Sequence, residues 1–363
     1  MGDLLFNLCM LAADAAALWV VRRRRGVVGV LLGALLAAAS CAVLALLVAS
    51  THPNHRQFAV IRYLAWGFFA HGPALALVGA RVLRERRVWR FGLAGLALAI
   101  LAVGVEAFVR EPRALELTRY TVRTTKLDRP LRIGVIADLQ TDAPGEYERS
   151  ALEALMAAEP DVILFAGDYV QILDGPGRAQ GWRELNAIFH EVGLAAPLGV
   201  HAVEGDVDGP DDLWRWVFDG IDAELYTQTR PVDLTWGGRA VRITGIAKRA
   251  GVNPRLELEP PPSGAFHIAL AHHPDFALGD APADLMVAGH THGGQVQLPL
   301  LGPVITLSKV PRAWASGRTE LSGGRTLVVS RGVGMERGRA PRLRFLCPPE
   351  VVVIDVVPGA VDG

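Results

Sequence analysis

Cysteine is scarce: Cys9, Cys41 and Cys347 are the three in 363 residues, too few and too scattered for a disulfide framework. None belongs to a C-x-x-C pair of the kind that grips a metal. Excess charge is lacking as well, since 37 Lys+Arg stand against 37 Asp+Glu. That balance offers no basic surplus for a general nucleic-acid footprint, and a chain that is 51% hydrophobic is not disordered. The neutrality is a cancellation. Residues 1–110 hold 12 basic and 4 acidic residues, and residues 111–363 hold the other 25 and 33. Such asymmetry predicts two differently placed parts, in line with one domain per roughly 100–200 residues.

In the first part, residues 2–21, 26–50, 58–80 and 91–109 are each long and apolar enough for a bilayer core, which takes about 20 residues of helix. Alternation at every second position is absent, which excludes barrel strands. The expectation is an α-helical four-span membrane bundle over residues 1–110. Nine of its twelve arginines fall in two loops, Arg22–Arg25 and Arg81–Arg90, whereas the loop between them in sequence carries Arg56 alone. The positive-inside rule then places both Arg-rich loops in the cytoplasm and everything after residue 109 on the other side. A twin-arginine export signal is not expected, because the polar consensus around the Arg run is missing. Lipoprotein cleavage at Ala39-Ser40-Cys41 is not expected either, because an apolar span already precedes it. Asp14, Arg62, His71 and Glu106 are titratable groups within or beside the spans, without the repeated pattern of a transport pathway.

Residues 111–130 read as a basic connector ending at Arg129-Pro130. From there the texture alternates. Short apolar runs at 131–138, 161–168, 198–203, 267–271 and 284–288 predict buried strands, and 147–158 and 181–192 predict helices. This is the pattern of an α/β domain, taken as residues 131–357 with a tail at 358–363. In such sheets ligands bind at the carboxyl ends of strands. Asp138, Gln140, Asp168, Asp206, Asp208, His272, His273, His290 and His292 all fall there. Buried carboxylates need compensating charge, and a mixed carboxylate–imidazole set suits Mn, Fe or Zn. In the run GHTHGG, Gly289 is expected to permit a tight turn, His290 and His292 to reach inward together, and Gly293 and Gly294 to leave room for a ligand.

Asp138-Leu139-Gln140, Gly167-Asp168, Gly205-Asp206-Val207-Asp208, Ala271-His272-His273-Pro274 and Gly289-His290-Thr291-His292, in this order, resemble the blocks of calcineurin-like metallophosphoesterases. GGQVQLPLLGP (293–303), SRGVG (330–334) and RFLCPPE (344–350) resemble the membrane-associated bacterial branch, which includes UDP-2,3-diacylglucosamine pyrophosphatase-like proteins. The resemblance spans residues 130–357 or so and implies a double β-sheet sandwich flanked by helices. It also implies two divalent metal ions. One would be held by Asp138, Gln140, Asp168 and His292; the other by Asp168 as bridge with Asp206, His272 and His290. Asp168, His290 and His292 would serve catalysis.

The chain departs from the family blocks at three positions. Gln140 stands where His is usual, Asp206 where Asn is usual, and Val207 where a His usually contacts phosphate and protonates the leaving group. Loss of such an acid costs about 10²–10⁴-fold, less for a substrate whose leaving group is already acidic. Asp208, His201, His273 and Arg331 are the candidates for supporting or substrate-contacting roles. The function expected is a multi-pass phosphoesterase of a bacterial cell membrane, its catalytic domain outside the cytoplasm. It would cleave a phosphodiester, phosphomonoester or pyrophosphate bond in a lipid-linked or envelope substrate. The alternatives are a UDP-2,3-diacylglucosamine pyrophosphatase, if the domain is cytoplasmic, or a catalytically weak metal-binding sensor or scaffold. Nucleic acid is not an expected partner.

Overall fold

The computed structural model describes residues 2–24, 26–172, 175–209 and 213–359. Residues 1–110 cluster as one unit, to which 338–342 are assigned; residues 111–337 and 343–363 form the second.

In hydrocarbon every backbone N–H and C=O must find a partner within the chain, and a helix provides one. The first unit is helical nearly throughout. Helices α1 (Gly2–Arg24) and α2 (Val27–Ala49) follow one another; α3 (Arg56–Trp66) runs through a π-helical turn, Gly67–His71, into α4 (Gly72–Val82); α5 (Arg87–Val105) ends in a second π turn, Glu106–Arg110. Pro73 has no N–H for the ladder at the start of α4, and the hydrogen bonding widens to π spacing just before it. Four helical runs, Gly2–Arg24, Val27–Ala49, Arg56–Val82 and Arg87–Arg113, are long and apolar enough to cross a membrane. Leucines such as Leu4, Leu8, Leu35, Leu47 and Leu98 face outward. Polar groups turn inward: His71 Nδ1 lies 2.6 Å from Asp14 Oδ2, and its Nε2 lies 3.0 Å from Asn7 Oδ1.

The second unit holds two mixed sheets. Its elements are β1 (Glu116–Thr124), β2 (Leu131–Ile136), α6 (Glu146–Met156), β3 (Val162–Phe165), α7 (Gly175–Glu191), β4 (Val200–Val203), β5 (Ala223–Tyr226), β6 (Arg230–Trp236), β7 (Arg239–Gly245), β8 (Phe266–Leu270), β9 (Leu285–Ala288), the hairpin β10 (Gln297–Leu298) and β11 (Gly302–Pro303), β12 (Gly317–Leu321), β13 (Arg325–Val329) and β14 (Glu350–Pro358). One sheet is ordered β1-β14-β2-β3-β4-β5 and the other β12-β13-β9-β8-β7-β6. Successive strand residues face opposite sides. On β3, Val162 and Leu164 join Ile243, Ile268 and Val287 of the other sheet in the central core, while Ile163 and Phe165 pack outward against Leu152, Trp182 and Phe189 of α6 and α7. A third cluster, including Ala269, Met286 and Phe276, covers the far face of the second sheet. The result is a sandwich of two sheets with helices outside, as the resemblance implies.

Residues 111–130 are not a connector. They contain β1, paired in parallel with β14 in the register Glu116↔Glu350 to Thr124↔Pro358. Alternation is present there, with Thr118, Tyr120, Val122 and Thr124 turned inward and the arginines out. The arginines disguise the strand, and its partner lies more than two hundred residues away. Of the expected tail, residues 360–363 lie outside the described residues.

Candidate metal centre

The parallel strands of both sheets end at one edge, and the loops that follow β2, β3, β4, β8 and β9 carry the acids and histidines. These loops are bent sharply. Among the described non-glycine residues, ten have positive φ, and five of them are Asp138 (49°), Gln140 (38°), Asp168 (59°), His290 (70°) and His292 (48°). Side-chain-bearing residues avoid this region, so its concentration here marks a site whose geometry is imposed by the surrounding fold.

Two compact donor groups result. Asp138, Asp168 and His272 each place a ligand atom within 4.8 Å of the others, as do Asp206, His272, His273 and His290. His272 belongs to both. Its Nδ1 donates to the Ala166 carbonyl at 2.8 Å, which leaves Nε2 without a proton. That Nε2 is buried with no hydrogen-bond partner, 3.5 Å from Asp168 Oδ2 and 3.9 Å from Asp206 Oδ2. An imidazole held from behind by a carbonyl, with its other nitrogen bare, is the arrangement of a metal-ligating histidine. His290 is also held from behind, Nε2 donating to the Leu307 carbonyl at 3.1 Å, but its Nδ1 is not bare: it meets Asp206 Oδ2 at 3.2 Å.

Gln140 is buried, and its Nε2 donates to Gln171 Oε1 (3.2 Å) and Glu336 Oε2 (3.0 Å). With both amide hydrogens committed, Oε1 is left buried and unpartnered. His292 Nδ1 is likewise buried without a partner, although His292 falls in neither compact group. Three orphaned acceptors beside buried carboxylates are costly in an apolar setting unless a cation meets them. The donor chemistry, carboxylate and amide oxygen with imidazole nitrogen, fits a divalent cation.

Electrostatics agree. Burial pushes Asp138 up to about 7, although the His290 N–H donates to its carboxylate. Burial, reinforced by Asp208, Asp138 and Asp206, drives Asp168 well above the usual range. Such a cluster is poised to exchange protons for positive charge. Burial acts upward on Asp206 too, but hydrogen bonds to His273 and His290 outweigh it and hold that carboxyl far below its ordinary value.

The glycines act differently from expectation. Gly289 does not have positive φ; a Cβ there would come within 2.6 Å of Asp138 Oδ2, so the residue makes space for the carboxylate. Gly293 does not leave room for a ligand, since its Cβ would strike Cys347 Sγ at 2.7 Å and Arg331 Cγ at 2.9 Å.

The supporting candidates separate. Asp208 does not face a substrate: its carboxylate accepts from the backbone N–H of Asp168 (3.0 Å), Tyr169 (2.8 Å) and Gly205 (2.6 Å), tying the loops after β3 and β4 together. Burial raises it to about 6 against the pull of these donors. His273 stands inside the second donor group, Nε2 3.1 Å from Asp206 Oδ1. His201 does not join the site; on β4 its Nδ1 meets the Tyr226 hydroxyl (2.8 Å) and its Nε2 the Leu198 carbonyl (3.0 Å). Arg331 is no phosphate clamp, because Glu116 (2.8 Å) and Glu350 (2.7 Å) already take its guanidinium. Sequence reasoning missed Gln171 and Glu336, which lie in loops with no motif, and Arg344. That arginine is fully buried and donates to the carbonyls of Arg331, Gly332, Gly334 and Cys347, shaping the segment that meets Asp138. Its place in the run RFLCPPE was the one available signal.

No family model matches the chain. Curated proteins do. An uncharacterized metallophosphoesterase, YkuE of Bacillus subtilis, is 28% identical over 285 residues, covering 74% of this chain and 96% of that one. Phosphodiesterase YaeI of Escherichia coli is 29% identical over 266 residues, covering 68% and 90%. The chain is similar to metallophosphoesterases over two thirds or more of its length. It is also 23% identical over 307 residues to UDP-2,3-diacylglucosamine pyrophosphatase LpxG of Chlamydia muridarum, covering 67% of this chain and 90% of that one. The likeness to metallophosphoesterases agrees with the clustered acids and histidines at the strand ends, which could hold metal ions.

Proposed function

We propose that the chain is a membrane-anchored phosphoesterase that uses two divalent cations (Mn, Fe or Zn) to hydrolyse a phosphodiester, phosphomonoester or pyrophosphate bond in a lipid-linked or envelope substrate. The observation that carries this reading is His272, whose bare Nε2 faces Asp168 and Asp206 from a place common to both donor groups. Asp138, Gln140, Asp168 and His292 would hold one cation, and Asp168, Asp206, His272 and His290 the other, with His273 alongside. Cations so placed polarise a phosphoryl oxygen and make water a stronger nucleophile at neutral pH. The protein's part is to fix these donors. Asp208 clamps two loops, the Val207 N–H holds Asp168 Oδ1 at 2.9 Å, and Gln171 with Glu336 orient Gln140. Val207 brings no imidazole to the leaving group, which favours substrates that leave as stable anions, such as a pyrophosphate or an aryl ester.

The Arg-rich loops support an extracytoplasmic catalytic domain in a bacterial cell membrane. The LpxG likeness supports a second reading, cleavage of a nucleotide-linked diacyl sugar, which requires the domain to face the cytoplasm. A reporter fused after residue 109 separates the two by the side on which it is active. For the chemistry, full-length protein in detergent with Mn²⁺ should hydrolyse bis(p-nitrophenyl) phosphate. Turnover no greater than that of Asp168→Asn, across several metals, would refute the enzyme reading for this substrate class.

A further inference from the structure

The hairpin formed by β10 and β11, with the strand-free run that follows, is out of character with its domain. Of the ten large hydrophobic side chains exposed among described residues 111–359, six lie between 298 and 307: Leu298, Leu300, Leu301, Val304, Ile305 and Leu307. Leu300, at the tip, is fully exposed, and Leu301 is 67% exposed. A concentration of this kind on a water-facing surface marks an interaction site. The tip also bears a conformational cost. Leu300 has φ 68° and Leu307 φ 53°, where glycine or asparagine would sit without penalty. Leucine held there is a side chain placed outward against local preference.

Charge says what the surface meets. Between Asp284 and Glu320 the chain has no acidic residue, in a domain where acids outnumber bases by 33 to 25. Lys309, Arg312 and Arg318 lie in that stretch, and Lys309 and Arg312 are exposed directly after the leucines. Asp275, which accepts from the Lys309 N–H at 2.9 Å, is buried beneath the segment. An apolar tip followed by exposed basic residues, in a stretch of chain without acids, is the signature of a segment seated in the interface of an anionic bilayer, acyl chains around the tip and headgroups around the base. The same chain has four helical runs long and apolar enough to cross a membrane. The hairpin is also tied to the metal centre: the Leu307 carbonyl accepts from His290 Nε2 at 3.1 Å, and Gln297 Nε2 donates to the Gly293 carbonyl at 3.1 Å.

We infer that residues 298–307 are an interfacial anchor that inserts Leu300 and Leu301 among the acyl chains of an anionic bilayer. Seated there, the hairpin holds the His290 loop at headgroup depth, where the phosphate of a lipid-linked substrate lies. The inference rests on the proposed function for its purpose, and its geometry is tested separately.

Full-length protein is reconstituted in nanodiscs of phosphatidylglycerol and phosphatidylethanolamine, with Leu300→Cys labelled by an environment-sensitive NBD fluorophore in a Cys9→Ser background. Glu153→Cys, on the exposed face of α6, is the control site. The inference expects blue-shifted emission at position 300 and quenching by nitroxide-bearing acyl chains, both absent at position 153. A label at 300 that emits as in water and is unquenched overturns it. Kinetics supply the second readout. For Leu300→Ser/Leu301→Ser, KM for a hexadecyl p-nitrophenyl phosphodiester in anionic vesicles should rise roughly tenfold or more, since two leucines no longer enter the apolar phase. Turnover of water-soluble bis(p-nitrophenyl) phosphate should stay at the wild-type level. Equal KM for the vesicle substrate overturns the anchor while leaving the phosphoesterase intact. Failure of the wild type to cleave the soluble diester refutes the phosphoesterase reading instead.

Discussion

The two units bury polar side chains to opposite ends. In the helical unit the leucines face out and the polar groups face one another, so His71 is spanned by Asp14 and Asn7. At the strand ends of the second unit the polar groups are held from behind and left bare in front. His272 is fixed by Ala166, Gln140 by Gln171 and Glu336, and Asp138 by the His290 N–H, while His272 Nε2 and Gln140 Oε1 have no hydrogen-bond partner. Burial of a titratable group is therefore not what marks a site. The mark is the convergence of unpartnered groups. Asp14 Oδ1 in the helical unit is also buried without a partner, but at the strand ends His272 Nε2, Gln140 Oε1 and His292 Nδ1 share that state beside buried carboxylates, a combination stable only when something else completes it.

The sharpest way to break this comparison is Asp168→Asn. Loss of the carboxylate common to both proposed cation sets should lower kcat/KM about a thousandfold or more, the several kcal/mol that a Lewis acid contributes. In metal-free protein the same change should raise Tm, because burial already disfavours the Asp168 anion and an amide carries no charge to desolvate. Thermal melts in EDTA check this, and a lower Tm would mean that the carboxylate is satisfied without a cation. Asp208→Ala comes next. It strips the acceptor from three backbone N–H groups and should cost about 3 kcal/mol of stability, with metal affinity falling about 10–100-fold as the loops after β3 and β4 part. Denaturation and metal titration of the same sample would measure both.

How much of this was legible before the fold was known follows the same division. The spans were plain, because helices in hydrocarbon need long uncharged runs and Gly26–Ser50 has no charge at all. The site residues were plain as a set, because an apolar run ending in Asp, repeated, is what strands feeding one sheet edge look like. What stayed hidden was how each residue faces. Asp206 and Asp208 read alike in the sequence, yet one is 45% exposed beside three imidazoles and the other is wholly buried beneath the loop. Arg331 read as a free cation because its partners, Glu116 on β1 and Glu350 on β14, belong to a pairing between the two ends of the domain that no local pattern reveals. Gln171 and Glu336 matter through their grip on Gln140, contacts that span 31 and 196 residues of chain.

A smaller effect is expected from the helical unit. If Asp14 and His71 satisfy each other, a double-mutant cycle with Asp14→Ala and His71→Ala should give a coupling of roughly 0.6 kcal/mol, and no more than about 1.7, because polar side chains in a membrane find other partners when one is lost. Hydrolysis of a soluble diester should be unaffected. A large loss of turnover would mean that this polar pair belongs with the strand-end groups and not with structural ones.

The smallest effect belongs to a histidine of the second unit that lies away from the donor groups. His201 is buried on β4 with Nε2 donating to the Leu198 carbonyl and Nδ1 accepting from the Tyr226 hydroxyl, so the folded protein holds it neutral and burial lowers its pKa. As pH falls through about 6.5, the unfolded chain takes up a proton that the folded one refuses. The stability contributed by the neutral ring is thus complete above that pH and is lost toward acid. His201→Gln removes the difference. Between pH 7.5 and 5.5 its stability should fall less steeply than that of the wild type, by no more than about one proton's worth of slope, roughly 1.4 kcal/mol per pH unit. Melts in EDTA keep the metal centre constant on both sides of the comparison. An unchanged slope would mean that His201 takes up a proton in the folded state as readily as in water, which its two hydrogen bonds do not allow.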